Sequence, residues 1–154
     1  MVFPEYEGVK GYLGTQDIIF LSINPSTGVF PSWFDKQYYR QLKLNGFTNA
    51  HLTDVFKQRA KDWQILAEDR DIKEEAKRFL LKEIRIINPV LIVLVGKNYE
   101  KFYKRILREI GVNVETITIK SYTYRYKSRK QLRSIIRKAM TVVKKKYNKL
   151  SKTK

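Results

Sequence analysis

The sequence contains no cysteine among its 154 residues and only one histidine. The absence of cysteine excludes disulfides, thiolate zinc sites and cysteine-held iron–sulfur clusters. A single histidine also argues against a metal site built from imidazole ligands. We therefore expect a protein that works without a metal ion or any other cofactor.

Long hydrophobic runs are missing as well, since no apolar stretch approaches the roughly 18–20 residues that a membrane-spanning helix needs. The first residues, MVFPEYEG, include acidic side chains and no basic region, which is unlike a secretory signal. Hydrophobic residues nevertheless make up 43% of the chain and aromatic residues 13%, which is enough to build a core. We expect one intracellular, cytoplasmic domain over residues 1–154 that is monomeric and has no membrane partner.

Acidic residues are lacking in the last quarter of the chain. None occurs after Glu115, whereas residues 120–154 contain 14 of the 32 Lys and Arg side chains. The first 115 residues carry 18 basic and 15 acidic side chains, so they contribute only +3 of the net charge of +17. This segment favours contact with a nucleic acid, because binding to a phosphate backbone releases condensed counterions. A solvated tail or contact with an acidic membrane surface would explain the same charge.

Strand-like and helix-like patterns alternate along the chain. Helices are expected over residues 34–44, 72–87 and 98–110 and from about 128 onward, and a polar connection is expected up to residue 70. Asn98 and the pair Ser128 and Gln131 are candidate caps. This order predicts a three-layer α/β/α fold around a central, mostly parallel four-stranded sheet. Its strands are expected at residues 17–23, 51–56, 90–95 and 114–119.

The stretch IIFLSINPSTGVF, residues 18–30, indicates where a site should form. A buried strand ends at Asn24 and Pro25 and is followed by a turn of small residues. In open α/β sheets, ligands bind at the carboxyl ends of the strands. An asparagine at such a place either orients a water molecule through its carbonyl oxygen or closes an Asx turn.

Four segments resemble the uracil-DNA glycosylase superfamily in order and spacing, over about residues 18–139. LSINPSTG is similar to the first motif of the mismatch-specific and thymine-DNA glycosylases. GFTNAHLTDVFK and AKRFLLKEIRIINPVLIVLVGKN resemble the middle of the iron–sulfur uracil-DNA glycosylases, and SYTYRY resembles the segment after their final His-Pro-Ser motif. The resemblance implies a DNA-repair enzyme that flips a damaged or deaminated base out of DNA and hydrolyses its N-glycosidic bond.

The resemblance also implies roles for individual residues. Asn24 would position the attacking water, and the base would be bound by Pro25, Ser26, Phe30 and Asp54. Phe30 is preferred to Trp33 and Phe34 as the aromatic surface under the base. The residues expected to touch DNA are Lys97, Ser121, Tyr124, Arg125, Lys127 and Arg129, with Tyr124 or Arg125 filling the gap left by the flipped base.

Two positions depart from the family pattern. Asp54 stands where several branches carry an asparagine that contacts the base edge, and an ionised carboxylate would repel uracil O4 unless it were protonated. Ile119 aligns with the histidine that stabilises the departing base, which leaves the adjacent Lys120 as the only candidate donor. His51 lies too early to replace that histidine, so a structural role is expected for it.

These departures lower the expected activity. We predict a weak DNA N-glycosylase in which Asn24 and Lys120 are the catalytic residues. The alternative is a non-catalytic nucleic-acid-binding protein that kept the fold, and a third option is a nucleotide-binding α/β enzyme. The residues that separate the first two are Asp54 and the pair Ile119 and Lys120.

Overall fold

A computed structural model describes residues 3–25, 28–121 and 128–152 of the chain. Its strands form one sheet in the order β2-β1-β3-β4, and every neighbouring pair is parallel. The predicted four-stranded sheet is confirmed, and all four carboxyl ends lie at one edge. The strands are β1 (Ile18–Ser22), β2 (His51–Asp54), β3 (Leu91–Val95) and β4 (Thr116–Ile119).

Helices connect and follow the strands, as the alternating pattern predicted. Short 3-10 turns are added at Gly11–Leu13 and Lys97–Tyr99. None of the described helices is both long and apolar enough to cross a membrane. The α-helices are α1 (Trp33–Leu44), α2 (Trp63–Glu68), α3 (Arg70–Ile87), α4 (Glu100–Glu109) and α5 (Arg129–Lys152).

Alternate side chains of each strand point to opposite faces, which builds the three layers. Phe20 and Val93 pack against α1 and α5 on one face of the sheet. Ile19 and Ile92 pack against α2, α3 and α4 on the other face. The two central strands, β1 and β3, are buried on both faces, which explains their almost continuously apolar sequences. The α/β/α fold predicted from the sequence is therefore confirmed.

Two local predictions were wrong. The connection before residue 70 contains α2, which forms because the Asp62 side chain caps its start and Leu66 is buried against the α3 layer. Asn98 does not cap α4, because it lies inside the 3-10 turn. The tight turn depends on Gly96, which has a φ of 107°. A Cβ at this position would lie 2.7 Å from a ring carbon of Tyr99, which is too close for any other residue. At α5, by contrast, the predicted capping box of Ser128 and Gln131 is present.

Candidate functional site

The carboxyl ends of the strands open on a cavity of about 420 Å³. Ser22 and Asp54 are register partners at the ends of β1 and β2, and both line this cavity. The rest of the described wall comes from the N-terminal segment, the loops after β1 and β2, the first turn of α1, and the segments at and just after the ends of β3 and β4, including Val95 and Ser121. The volume lies within the range of about 300–1,000 Å³ that is typical of small-molecule sites.

Asn24 lies in this wall, and its side-chain nitrogen donates two hydrogen bonds. Its Nδ2 donates to the carbonyl oxygens of Pro25, at 3.0 Å, and Ala60, at 2.9 Å. Because both partners are acceptors, the side-chain amide has only one possible orientation. The oxygen Oδ1 receives no hydrogen bond from any residue that the structure describes. The Asn24 side chain thus joins the loops after β1 and β2 through its nitrogen, and its role in positioning water stays a prediction.

The loop after β2 holds the Asn24 segment in place. The backbone N–H groups of Val55 and Phe56 donate to the carbonyl oxygens of Ser22 and Ile23, at 2.9 and 3.0 Å. These bonds continue the parallel ladder beyond the ends of β1 and β2. Farther along this loop, Arg59 Nη1 donates to the carbonyl oxygen of Gly28 at 3.0 Å. The two cavity walls are therefore tied to each other.

Asp54 is the most unusual group in the wall. It is 1% exposed, and neither carboxyl oxygen has a hydrogen-bond partner within the described part of the chain. Burial raises the pKa of Asp54 to about 8, against the opposing effect of the Lys57 charge and with a further increase from the charge of Glu83. At neutral pH the side chain is therefore a neutral acid that presents one O–H donor beside one C=O acceptor. The ionised carboxylate considered from the sequence is present only above about pH 8.

Next to Asp54, a buried polar cluster links β2 to α3. Glu83 Oε1 lies 2.9 Å from His51 Nε2 and accepts a hydrogen bond from the Thr53 hydroxyl at 2.6 Å. Lys57 Nζ donates to Glu83 Oε2 at 3.0 Å and also to the backbone carbonyl of Asp54. The ammonium group of Lys57 is thereby held by Glu83 and does not bond the Asp54 carboxyl. His51 has the structural role that the sequence suggested.

The charge of Glu83 survives burial because of these partners. Burial alone would raise its pKa, but the hydrogen bonds from His51, Thr53 and Lys57, together with the Lys57 charge, lower the pKa below its ordinary value. The two neighbouring carboxyl groups thus differ in state at neutral pH: Glu83 is ionised and Asp54 is protonated.

Aromatic side chains near the cavity have separate roles. Phe30 lines the cavity, and its ring is held edge-on by Tyr6 and Tyr39, at centroid distances of 5.6 and 5.3 Å. Trp33 and Phe34 are not part of the described cavity wall. Of the three aromatic candidates, only Phe30 belongs to the described cavity wall, and its contact with a base stays a prediction.

At the end of β4, neither Ile119 nor Lys120 belongs to the described cavity wall. Ile119 is 7% exposed and packs in the core. Lys120 is exposed and borders a separate gap of about 10 Å³ beside Met140, and it is not among the described residues of the main cavity wall. Ser121 does line the cavity. Of the two predicted catalytic residues, only Asn24 lies at the cavity.

The remaining predicted contacts are spread over the same edge of the sheet. Lys97 is exposed in the 3-10 turn after β3, outside the described lining, and Arg129 begins α5. Pro25 lines the cavity. The other predicted contacts lie outside the described residues and stay predictions: Ser26, Tyr124, Arg125 and Lys127.

Sequence reasoning missed several residues of the wall. Arg59 and Lys61 line the cavity, and the only signal for them was the cationic string KQRAKD directly after the second predicted strand. Asp35 also lines it, although Asp35 Oδ2 accepts hydrogen bonds from the Ser32 backbone and hydroxyl in the cap of α1. A helix-capping pattern does not indicate which side of the helix start faces a cavity.

Within the described ranges, no three His, Cys, Asp or Glu side chains are grouped closely enough to hold a metal ion. No known protein-family profile matches the chain, and no curated protein is significantly similar to it. Fold and site together define an α/β/α protein with a cavity of about 420 Å³ at the carboxyl edge of its sheet.

Proposed function

We propose that this protein is a DNA-repair glycosylase that hydrolyses the N-glycosidic bond of a damaged or deaminated base, such as uracil, flipped out of DNA. The observation that carries the proposal is the buried Asp54 carboxyl, which lines the cavity without a partner in the described protein. A polar group buried without a hydrogen bond is costly, so its presence favours a ligand that supplies the missing bonds. The basic C-terminal helix supports DNA as the source of that ligand.

The neutral form of Asp54 suits the edge of a keto base. Its O–H donates to a carbonyl oxygen such as uracil O4, and its C=O accepts from the adjacent ring N–H. An asparagine would present the same donor and acceptor pair. The expected repulsion between Asp54 and uracil therefore applies only above about pH 8, where the carboxyl group ionises.

Hydrolysis in this cavity uses Oδ1 of Asn24, to which no described residue donates a hydrogen bond. Oδ1 accepts a hydrogen bond from a water molecule and directs it at the sugar carbon C1′. The water oxygen bonds to C1′ and keeps one proton as the new hydroxyl group, the C1′–N bond breaks with its electron pair going to the base, and the base takes up the proton that the water loses. Asp54 donates to the departing base, while Ile119 offers no donor. Because one such donor typically changes a rate by about 10²- to 10³-fold, we expect slow turnover.

A strand-nicking assay tests the proposal. Oligonucleotides containing uracil, hypoxanthine, xanthine or a mismatch are incubated with the protein and then treated with alkali to cleave abasic sites. We expect Asn24→Ala to lower the rate at least about 10²-fold while binding of unmodified duplex is unchanged. The matched control is Asn98→Ala, which alters an exposed asparagine outside the described cavity wall. Robust native turnover that Asn24→Ala leaves intact would contradict the proposal.

The pH dependence tests the role of Asp54. For uracil, kcat/KM of the native protein should fall as pH rises through about 8, because the carboxyl loses its O–H donor. Asp54→Asn should retain activity and show no such fall, since an amide donates at every pH. An identical decline in both proteins would exclude Asp54 from base contact.

The non-catalytic alternative is supported by the end of β4. Ile119, which aligns with the family histidine, is buried in the core and has no donor, and Lys120 is not part of the described cavity wall. A protein that binds DNA tightly but releases no base from any of these oligonucleotides would establish this alternative.

A further inference from the structure

Two arginines of α5 lie against the indole ring of α1. The guanidinium carbon of Arg129 is 4.9 Å from the ring centroid of Trp33, and that of Arg133 is 5.4 Å away. The arginines are one helical turn apart, so both reach the same ring. Phe34 packs edge-on against the indole, with 5.3 Å between ring centroids. Trp33 is thus a fixed surface that holds two cations side by side.

Neither guanidinium forms an ion pair or hydrogen bond with another described residue. Both arginines are exposed, and α5 contains ten Lys and Arg residues and no acidic residue over its 24 positions. Stacking engages the face of a guanidinium and leaves the N–H groups along its edge available. The pair therefore presents two ordered sets of donors without a protein acceptor in the described part of the chain.

The start of α1, where Trp33 lies, borders the cavity. Trp33 directly follows Ser32, which lines the cavity, and Asp35 in the first turn of α1 lines it as well. Trp33 itself is not part of the described wall. Trp33 was one of the aromatic candidates for base stacking, but in the structure it contacts the two arginines instead.

We propose that Trp33, Arg129 and Arg133 form a clamp for the phosphate backbone of a nucleic acid, on the rim of the cavity. Guanidinium groups bind phosphate oxygens through paired N–H donors, and stacking on the indole orients those donors before the ligand arrives. The occupant is a polyanion with regularly repeated charge, because the cationic surface continues along the same helix. The inference deepens the proposed function by assigning a backbone contact beside the flipped base.

The test measures binding of a short unmodified DNA duplex at several salt concentrations between about 50 and 200 mM. Arg129→Gln combined with Arg133→Gln should make the negative slope of log K against log salt shallower by about 1.8, since each lost phosphate contact contributes about 0.9. The matched control is Arg78→Gln combined with Arg85→Gln. It changes two exposed arginines of α3, on the opposite face of the sheet, and should leave the slope unchanged.

Two further variants test whether binding depends on the stacked arrangement of the arginines or only on their positive charge. Arg129→Lys combined with Arg133→Lys should preserve the slope but weaken binding about two- to fivefold, because lysine stacks less well and lacks the planar fork. Trp33→Leu should weaken binding similarly, with thermal unfolding measured to confirm that this half-buried variant is folded. Native affinity in both variants would overturn the clamp.

Other results would also overturn it. One is a native salt dependence of binding in the variant with glutamine at positions 129 and 133. Another is a salt dependence that becomes equally shallow in the α3 control. Binding of the native protein to vesicles of anionic lipid but not to the duplex would assign the pair to a membrane surface instead. Because the duplex contains no damaged base, failure of the clamp is distinguishable from failure of base excision. The excision assay responds to Asn24→Ala, which the duplex assay should not detect.

Discussion

At the scale of single residues, burial of the Asp54 carboxyl lowers the stability of the folded protein but places a polar group at the cavity. Its carboxyl group is buried at the end of β2, and the described protein gives it no hydrogen-bond partner. The folded protein therefore keeps a proton that the unfolded chain would release at neutral pH. Such a cost is characteristic of a group retained for binding or catalysis, because burial and a strongly perturbed pKa concentrate at functional sites.

Replacing Asp54 should stabilise the protein. The folded pKa of about 8 lies above the ordinary value of 3.8, so the native free energy of unfolding decreases as pH rises between these values. Asp54→Asn removes this dependence and should raise the free energy of unfolding by about 2–4 kcal/mol at pH 7. Urea unfolding at pH 4.5, 6 and 8 measures the difference, which should shrink toward pH 4.5.

The control for this experiment is Asp71→Asn, which alters an exposed aspartate at the start of α3. Its effect should stay within a few tenths of a kcal/mol. If Asp54→Asn changed stability equally at pH 4.5 and pH 8, Asp54 would not be a buried neutral acid.

At the scale of elements, the cluster around Glu83 joins α3 to the edge strand β2. Lys57 contacts Glu83, the Thr53 hydroxyl and the backbone carbonyl of Asp54, so one side chain connects the helix, the strand and the cavity wall. The loop after Lys57 carries Ala60, which accepts from the Asn24 amide. Packing of α3 is thereby coupled to the orientation of both groups at the site.

Removing the charge of Glu83 should weaken this connection. Glu83→Gln should lower the free energy of unfolding by about 1–3 kcal/mol near neutral pH, because Lys57 would lose its buried anionic partner while remaining partly exposed to water. The pKa of Glu83 is lowered, so its stabilisation is present above its ordinary pKa and disappears as pH falls through the folded value. Urea unfolding over pH 3–8 should show the difference narrowing on the acidic side.

The same variant should act on the site. Without the negative charge of Glu83, the pKa of Asp54 should fall, and the upper limb of the uracil pH profile should move to lower pH. Glu75→Gln, an exposed change on the same helix, should move neither quantity. A Glu83→Gln protein with native stability and a native pH profile would show that the cluster does not support the site.

At the scale of the whole molecule, the charge is distributed unevenly around the sheet. One face of α5 packs on the sheet through Met140 and Val143, and the charged side chains on its other faces are all basic. Its last turns are anchored as well, because the Tyr147 hydroxyl donates to Asp17 Oδ1 and accepts from Gln16 Nε2. Deleting the end of the chain would therefore remove packing together with charge, so charge substitutions are the cleaner test.

Neutralising the end of α5 should reduce the salt dependence of DNA binding. We expect glutamine at the three exposed positions Lys145, Lys149 and Lys152 together to make the negative slope of log K against log salt shallower by up to about 2.7, at one phosphate contact per lysine. The affinity for unmodified DNA duplex is measured at several salt concentrations, and thermal unfolding shows whether the variant is folded. An unchanged slope would exclude this part of α5 as a contact.

Much of this architecture could be predicted because it depends on local pattern. Continuous apolar runs at β1 and β3 indicated strands buried on both faces, and Ser128 with Gln131 indicated the start of α5. The position of Asn24 directly after a strand was sufficient to place it at the carboxyl edge. The short helix α2 was missed because its stability comes from a single buried leucine, Leu66, and a cap, which weigh little in a periodicity argument.

The sequence by itself determined the strand and helix order, the one-sided charge of the C-terminal segment and the absence of cysteine ligands, since these are properties of composition and near neighbours. Only the tertiary structure decided the state of the site. Burial at the cavity wall makes Asp54 neutral, whereas Glu83, buried nearby, keeps its charge because partners from β2 and the loop after it donate to it. Likewise, Trp33 and Arg129 meet only because α1 and α5 pack on the same face of the sheet. Protonation and such pairings depend on contacts between distant segments, which local sequence does not encode.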